Sequence, residues 1–234
     1  MINIIPYEKL GGADHGWLKA KHHFSFASYQ NPNRVHFGPM RVINDDIVAP
    51  QTGFDPHPHD NMEIITYVRK GAITHKDDMG NEGRTEAGDV QVMSAGTGVT
   101  HSEYNLENEE TNLYQIWMFP NKKNVKPRWD AKKFPKEPVK DKLKPLVTSF
   151  DNKDKDTLKI YQDAVIYAGR INKGDKVTQK IDRNQAYVLC SQGKIKINDK
   201  EIKKGDGAEI TKLKSVEILA LENCEVLFID LPRY

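Results

Sequence analysis

The chain is poor in cysteine, with only Cys190 and Cys224 among 234 residues. Two thiols cannot form the disulfide framework of a small secreted fold, and their scarcity fits a reducing cytoplasm. Both read as small buried hydrophobes. No apolar run approaches the length of a membrane span, and Met1-Ile2-Asn3-Ile4-Ile5-Pro6 lacks the basic start and apolar stretch of a signal peptide, so neither membrane insertion nor export is expected. An excess of one charge is missing as well. The formal net charge of +2 gives no whole-molecule pull toward nucleic acid or anionic lipid. Histidine is absent from the C-terminal half: all eight lie between His15 and His101, so a histidine-based metal site can belong only to the N-terminal half.

What is present is strand signal. Glu63-Ile64-Ile65-Thr66-Tyr67-Val68, Val90-Gln91-Val92-Met93 and Leu113-Tyr114-Gln115-Ile116-Trp117-Met118-Phe119 are β-branched and aromatic. Gly71, Asp77-Asp78-Met79-Gly80-Asn81 and Gly88-Asp89 punctuate them, and short strands at near-regular spacing predict a sandwich or barrel. From Pro120 to Pro145 the composition shifts to five prolines and nine lysines, which reads as a solvated connection. A basic nucleic-acid patch is the weaker alternative there, because aromatic interleaving is thin. The second half echoes the first: Gly193-Lys194-Ile195-Lys196-Ile197 followed by Lys204-Gly205-Asp206-Gly207 matches Gly71-Ala72-Ile73-Thr74 followed by Gly88-Asp89. The chain therefore divides into a barrel over 1–120, a Pro/Lys-rich linker over 121–146 and a degenerate second barrel over 147–234. The second copy is expected to pack on the first and cover its sheet surface.

Two residue pairs carry chemistry. His57-Pro58-His59 and His101-Ser102-Glu103 each place ligand-type side chains two residues apart, on one face of a strand. On facing strands of a barrel they would aim three imidazoles and one carboxylate at one point, a shell for a divalent transition metal with positions left open. The matching positions in the second copy fall near Gln179, Ile181, Ile218 and Ala220, none a good ligand, so that copy is read as metal-free.

Gly53-Phe54-Asp55-Pro56-His57-Pro58-His59 with Glu63, and Gly88-Asp89 through Met93-Ser94-Ala95-Gly96-Thr97-Gly98-Val99-Thr100-His101-Ser102-Glu103-Tyr104-Asn105, resemble the two cupin motifs. Their wording, with Leu113-Tyr114-Gln115-Ile116-Trp117, Arg41-Val42-Ile43-Asn44-Asp45-Asp46 and the closing Leu227-Phe228-Ile229-Asp230-Leu231-Pro232, resembles the pirin family, and within it the bacterial pirin-like quercetin dioxygenases. The resemblance covers nearly the whole chain. It implies an all-β fold of two cupin-type (double-stranded β-helix, jelly-roll) barrels and a single metal bound by His57, His59, His101 and Glu103. Iron(II) is the expected ion, with copper, nickel, cobalt, manganese or zinc as alternatives. It also implies a dioxygenase that deprotonates a flavonol at its 3-hydroxyl, adds dioxygen and opens the heterocycle with loss of carbon monoxide, with Glu103 and His101 as catalytic groups. The partners expected are a flavonol-like small molecule and dioxygen. A second reading, carried by other pirins, is a metal- or redox-responsive regulator working through a protein partner, with the Lys-rich 120–145 stretch as contact surface. A sugar- or small-acid isomerase is a third.

Several residues stay outside that set. Glu63 shares strand parity with 57 and 59 but is read as a supporting or structural carboxylate, with a role as proton acceptor left open. His22, His23, His36 and His75 have no ligand-like pairing and are read as structural. Gly96 and Gly98 are expected to need positive φ in the turn before His101. Trp117 and Phe119 are expected in the core.

Overall fold

A computed structural model describes residues 1–233. The first strands are β1 (Ile2–Ile5), β2 (Gly11–Asp14), β3 (Leu18–His22), β4 (Met40–Val48), β5 (Thr52–His59), β6 (Glu63–Lys70), β7 (Ala72–Asp77), β8 (Glu82–Glu86), β9 (Val90–Ser94), β10 (Val99–Asn105), β11 (Thr111–Met118) and β12 (Arg128–Lys132). They are followed by β13 (Lys144–Ser149), β14 (Leu158–Ile160), β15 (Val165–Ile171), β16 (Lys176–Lys180), β17 (Gln185–Gln192), β18 (Lys194–Ile197), β19 (Lys200–Lys203), β20 (Gly207–Thr211), β21 (Ser215–Ala220) and β22 (Cys224–Leu231). The three strands read most directly from side-chain type all form, as β6, β9 and β11. Among the described residues no helix is long and apolar enough to cross a membrane.

The chain folds into two compact units, each built from two sheets, which makes it an all-β bicupin. The N-terminal unit comprises Gly11–Phe134 with Phe150–Gln162. Its larger sheet has the order β12-β9-β6-β11-β4-β3-β2 and its smaller one β5-β10-β7-β8. Strand β10 shows how sequence becomes position: Val99, His101, Glu103 and Asn105 are buried while Thr100, Ser102 and Tyr104 are not, the two-residue period of a sheet with one face inward. Apolar residues of the interior group together, with Ile64, Met93, Ala95 and Val99 in one cluster and Val68, Ile73 and Leu113 in another.

The C-terminal unit comprises Met1–Leu10, Pro135–Ser149 and the chain from Asp163 onward. Strands β16-β21-β18-β19 form one sheet, and β1-β20-β17-β22-β15-β13 run side by side in the other. Its interior is aliphatic: Val177, Ile181, Val188, Ile195, Ile218, Ala220 and Phe228 share one cluster, where each fully buried side chain contributes about 1.5–3 kcal/mol. Ile181, Ile218 and Ala220, which stand where the first barrel carries ligands, are packing residues in that core.

These units differ from a division at 120 and 146 in three places, one of them Phe150–Gln162, which falls in the N-terminal unit and not in the second barrel. The first residues belong to the C-terminal unit, because β1 pairs with β20 in the register Ile2↔Ile210 and Ile5↔Gly207. That long-range pairing leaves no local trace in sequence. The Pro/Lys-rich stretch is not all linker either. Its residues Arg128–Lys132 form β12, which pairs with β9 and places Trp129 opposite Met93.

Candidate metal centre

Strand β5 carries His57 and His59 and lies at the edge of the smaller sheet. Pro56 and Pro58 have no N–H to give a ladder, so a segment spelled Pro-His-Pro-His is confined to an edge. Its neighbour β10 pairs His101 directly with His57 and Val99 with His59. The two ligand pairs are thus hydrogen-bonded neighbours within one sheet, not residues on facing strands. The short cross-strand distance, rather than the barrel's width, brings the rings together. Ring centroids lie 4.8 Å apart for His57 and His59, 4.6 Å for His57 and His101, and 5.1 Å for His59 and His101. One ring nitrogen from each lies within 4.8 Å of the other two, a cluster that could hold a metal ion.

The protein fixes which nitrogens are free. His57 Nδ1 lies 2.7 Å from the carbonyl oxygen of Asp55, which only accepts, so Nδ1 carries the proton and Nε2 is bare. Nε2 of His59 and Nε2 of His101 are buried without a hydrogen-bond partner. Buried polar atoms normally find partners, and two orphan imidazole nitrogens beside a third free one are what a metal ion would satisfy. Charge points the same way. Burial, then the neighbouring His57 and His75, pushes His101 down to about 3. Burial, then His101 and His57, pushes His59 down to about 4. Neutral imidazoles are the ligating form.

Glu103 reaches the same interior, but a break in register between His101 and Glu103 sets it opposite Phe54 on β5. It joins His75 and His101 in a second group of donor atoms that shares His101 with the first. Its carboxylate is held from the larger sheet: Oε1 accepts from Gln91 Nε2 at 2.7 Å and from Thr66 Oγ1 at 3.1 Å, and Oε2 accepts from Gln115 Nε2 at 2.7 Å. Gln91 is oriented in turn by Thr85 Oγ1 at 3.0 Å. Donors on both oxygens fix the direction in which the carboxylate faces.

The three histidines and Glu103 open onto a cavity of about 470 Å³ walled by Trp17, Leu18, Phe26, Phe54, Ile64 and Trp117. This is the volume range of a small-molecule site. Polar groups interrupt the wall, among them His22, whose Nδ1 is 2.8 Å from Asn44 Oδ1, and Asp46. Asp45 and Asp46 are adjacent on β4 and so face opposite ways. Asp45 pairs with Arg69 at 2.5 Å, whereas Asp46 faces the cavity with a buried Oδ1 that has no partner. Burial, then Asp45 and Glu103, raises the Asp46 carboxyl well above its ordinary range.

Other expectations resolve plainly. Glu63 is wholly buried, and its Oε2 accepts from Ser94 Oγ at 2.8 Å and from the Tyr161 backbone N–H at 3.1 Å. That bond ties the 150–162 segment to β6, and Glu63 is not among the residues that line the cavity. Trp117 is not core: it lines the cavity with its ring 4.8 Å from His59, edge to face. Gly96 and Gly98 do adopt positive φ, +50° and +130°. His23 is fully buried and His36 is bonded to the Gly38 carbonyl region at 3.0 Å, both outside the cavity wall. His75, which sequence spacing passed over, touches His101 directly: their Nδ1 atoms are 3.3 Å apart. The signal was present as His75 and Asp77 at i and i+2, whose side chains meet at 3.0 Å, but Asp77 reads as a turn residue.

The fold and these donors define a bicupin with a histidine-rich pocket in its N-terminal barrel. The Pirin family profile matches residues 5–118, and a profile described as "Quercetinase C-terminal cupin domain" matches residues 146–231. The chain is 49% identical to a pirin-like protein of Caulobacter vibrioides over 98% of this chain and 99% of that one. It is 39% identical to a quercetin 2,3-dioxygenase of Escherichia coli K12, covering 99% of both. The crystal structure of the bacterial pirin YhhW from Escherichia coli in complex with nickel(II) superposes with a TM-score of 0.92 at 36% identity and complete coverage of both chains. The chain belongs to the pirin family.

Proposed function

We propose that this protein is a metal-dependent dioxygenase that opens the heterocycle of flavonols of the quercetin type. The observation that carries the reading is the convergence of three bare imidazole nitrogens on an apolar cavity large enough for a flat polyphenol. In this reading His57, His59, His101 and Glu103 hold the ion. Imidazole-rich ligation with one carboxylate suits iron(II), our choice, as well as nickel, the ion bound in the Escherichia coli relative. A divalent ion there supplies Lewis acidity that favours the anionic form of a bound hydroxyl, and a site for dioxygen chemistry.

The chain's own residues do the rest. Trp17, Phe26, Phe54 and Trp117 sandwich a planar aromatic ligand and exclude water from the histidine face. Glu103 lines the cavity, positioned by Gln91 and Gln115, and accepts the proton of the substrate hydroxyl. Asp46, held as a neutral acid, donates a hydrogen bond to a substrate oxygen from the opposite sheet. His101 orients the reacting centre through its fixed ring. The two buried free cysteines are compatible with a cytoplasmic location.

The test is the aerobic decay of quercetin absorbance by protein reloaded separately with iron(II), nickel(II), copper(II), cobalt(II) and manganese(II), with His101→Ala alongside. Decay that needs both dioxygen and metal and is lost in the variant supports an oxygenase and names its working ion. A protein that holds metal yet leaves quercetin intact with every ion would instead favour the regulatory reading.

A further inference from the structure

His57 takes its orientation from a backbone carbonyl, but His101 takes its own from another side chain. Its Nδ1 lies 3.3 Å from His75 Nδ1, and His75 Nε2 lies 3.0 Å from Asp77 Oδ2. Asp77 is locked in turn: its Oδ1 accepts from the backbone N–H of Met79 at 3.0 Å and of Asn81 at 2.9 Å, and its Oδ2 accepts from Asn81 Nδ2 at 2.9 Å. The side chains of His75 and Asp77 are 1% and 0% exposed. Burial raises the Asp77 carboxyl, but the bonds from His75 and Asn81 outweigh it and hold the group below the ordinary carboxylate range.

With Asp77 ionised and His75 uncharged, the donor and acceptor inventory sets a chain of protons. An ionised carboxylate only accepts, so His75 must carry its proton on Nε2. A neutral His75 then has a bare Nδ1, which can only accept from His101. His101 must therefore carry its proton on Nδ1, and its bare nitrogen is Nε2, the buried and unpartnered atom that faces His57 and His59. Three strand positions make the chain rigid. Register pairs His101 with Asp77 and Glu103 with His75 across β10 and β7. Trp129 of β12 stacks on the His75 ring at 5.0 Å and 8°.

We propose that His75, backed by Asp77, is a positioning residue for the metal centre: it fixes the His101 tautomer and so presents Nε2 to the ion. The role rests on the reading of His101 as a ligand. It predicts that tautomer control, and not packing, is what His75 contributes.

Two substitutions separate these. His75→Phe keeps a flat ring against Trp129 and removes the acceptor. His75→Asn keeps an acceptor near the Nδ1 position and removes the ring. The first readout is the nitrogen-15 imidazole spectrum of metal-free protein at pH 8. His101 should carry its proton on Nδ1 in the wild type and His75→Asn, and shift toward the Nε2 tautomer in His75→Phe. The second is affinity for nickel(II) by competition with a chelating dye: His75→Phe should bind about 10–100-fold more weakly, with His75→Asn close to the wild type. A wild-type His101 protonated on Nε2 overturns the proposal without any variant. So does a His75→Phe protein that keeps both the tautomer and the affinity. If the wild type takes up no metal at all, the proposed function fails, while the tautomer spectrum still decides the role of His75.

Discussion

Gln115 Nε2 donates to Glu103 Oε2 at 2.7 Å across the gap between the two sheets of the N-terminal barrel. Gln115 Oε1 lies 3.2 Å from Thr66 Oγ1, whose single proton it shares with Glu103 Oε1. Glu103 is only 3% exposed, so a lost donor leaves a largely buried carboxylate one partner short. Gln115→Leu is therefore expected to destabilise the metal-free protein by about 1.5–3 kcal/mol, the worth of a hydrogen bond to a charged group. The urea midpoint should fall with the slope unchanged. An unchanged midpoint would mean that Glu103 does not depend on this clamp.

Glu63 gives the barrel an alkaline weakness. Burial pushes its carboxyl up to about 7 from an ordinary 4.5, with the bonds from Ser94 and the Tyr161 backbone partly offsetting the rise. Between those values the native state keeps a proton that the unfolded chain has released. Stability therefore falls as pH rises through that window, by up to about 1.4 kcal/mol per pH unit, and levels off above it. Glu63→Gln keeps the acceptor and removes the titration. Its stability relative to the wild type should grow from pH 4.5 to 7 and stay constant above, as read from urea unfolding at a series of pH values.

His23 acts with the opposite sign. It is fully buried, and burial, with Arg34 and Arg69 next, pushes its imidazole down to about 3 from 6.5. The unfolded chain takes up a proton that the native state refuses, so stability is lost as pH falls from 6.5 toward 3, at up to about 1.4 kcal/mol per pH unit. His23→Gln should flatten this acid limb even if it lowers stability at pH 7. An acid limb as steep as that of the wild type would show that His23 does not drive it.

Gly96 sets the approach to β10. Its φ of +50° and the Val125 carbonyl, into which an added methyl group would run, leave no room for a side chain. Gly96→Ala is expected to lower stability by about 1–3 kcal/mol. Thermal unfolding measures this, and a melting temperature equal to that of the wild type would contradict it.

The strand framework was legible because its signal is local. Alternation in Val99–Asn105 and β-branched runs in β6 and β9 report on the neighbouring residues alone. The two ligand pairs were legible for the same reason, being i and i+2 on one strand. What escaped depends on contacts between distant segments. The β1–β20 pairing joins opposite ends of the sequence, and Trp129 emerges from a Pro- and Lys-rich stretch to stack on His75. Gly83 makes room for that indole, since a methyl group there would sit inside it. The arrangement of the two ligand strands as neighbours, and not as facing walls, is likewise set by sheet order. Asp46 was visible only as part of a family motif. Its burial without a partner depends on which face of β4 meets the cavity.

The measurement that bears most directly on the account is metal stoichiometry by equilibrium dialysis and elemental analysis, on the wild type and on His57→Ala, His59→Ala and His101→Ala, with X-ray absorption to identify the donor atoms. The account predicts one tightly held divalent ion per chain with nitrogen and oxygen neighbours, and strongly weakened binding in each variant. Variants that retain the ion as tightly as the wild type would contradict it.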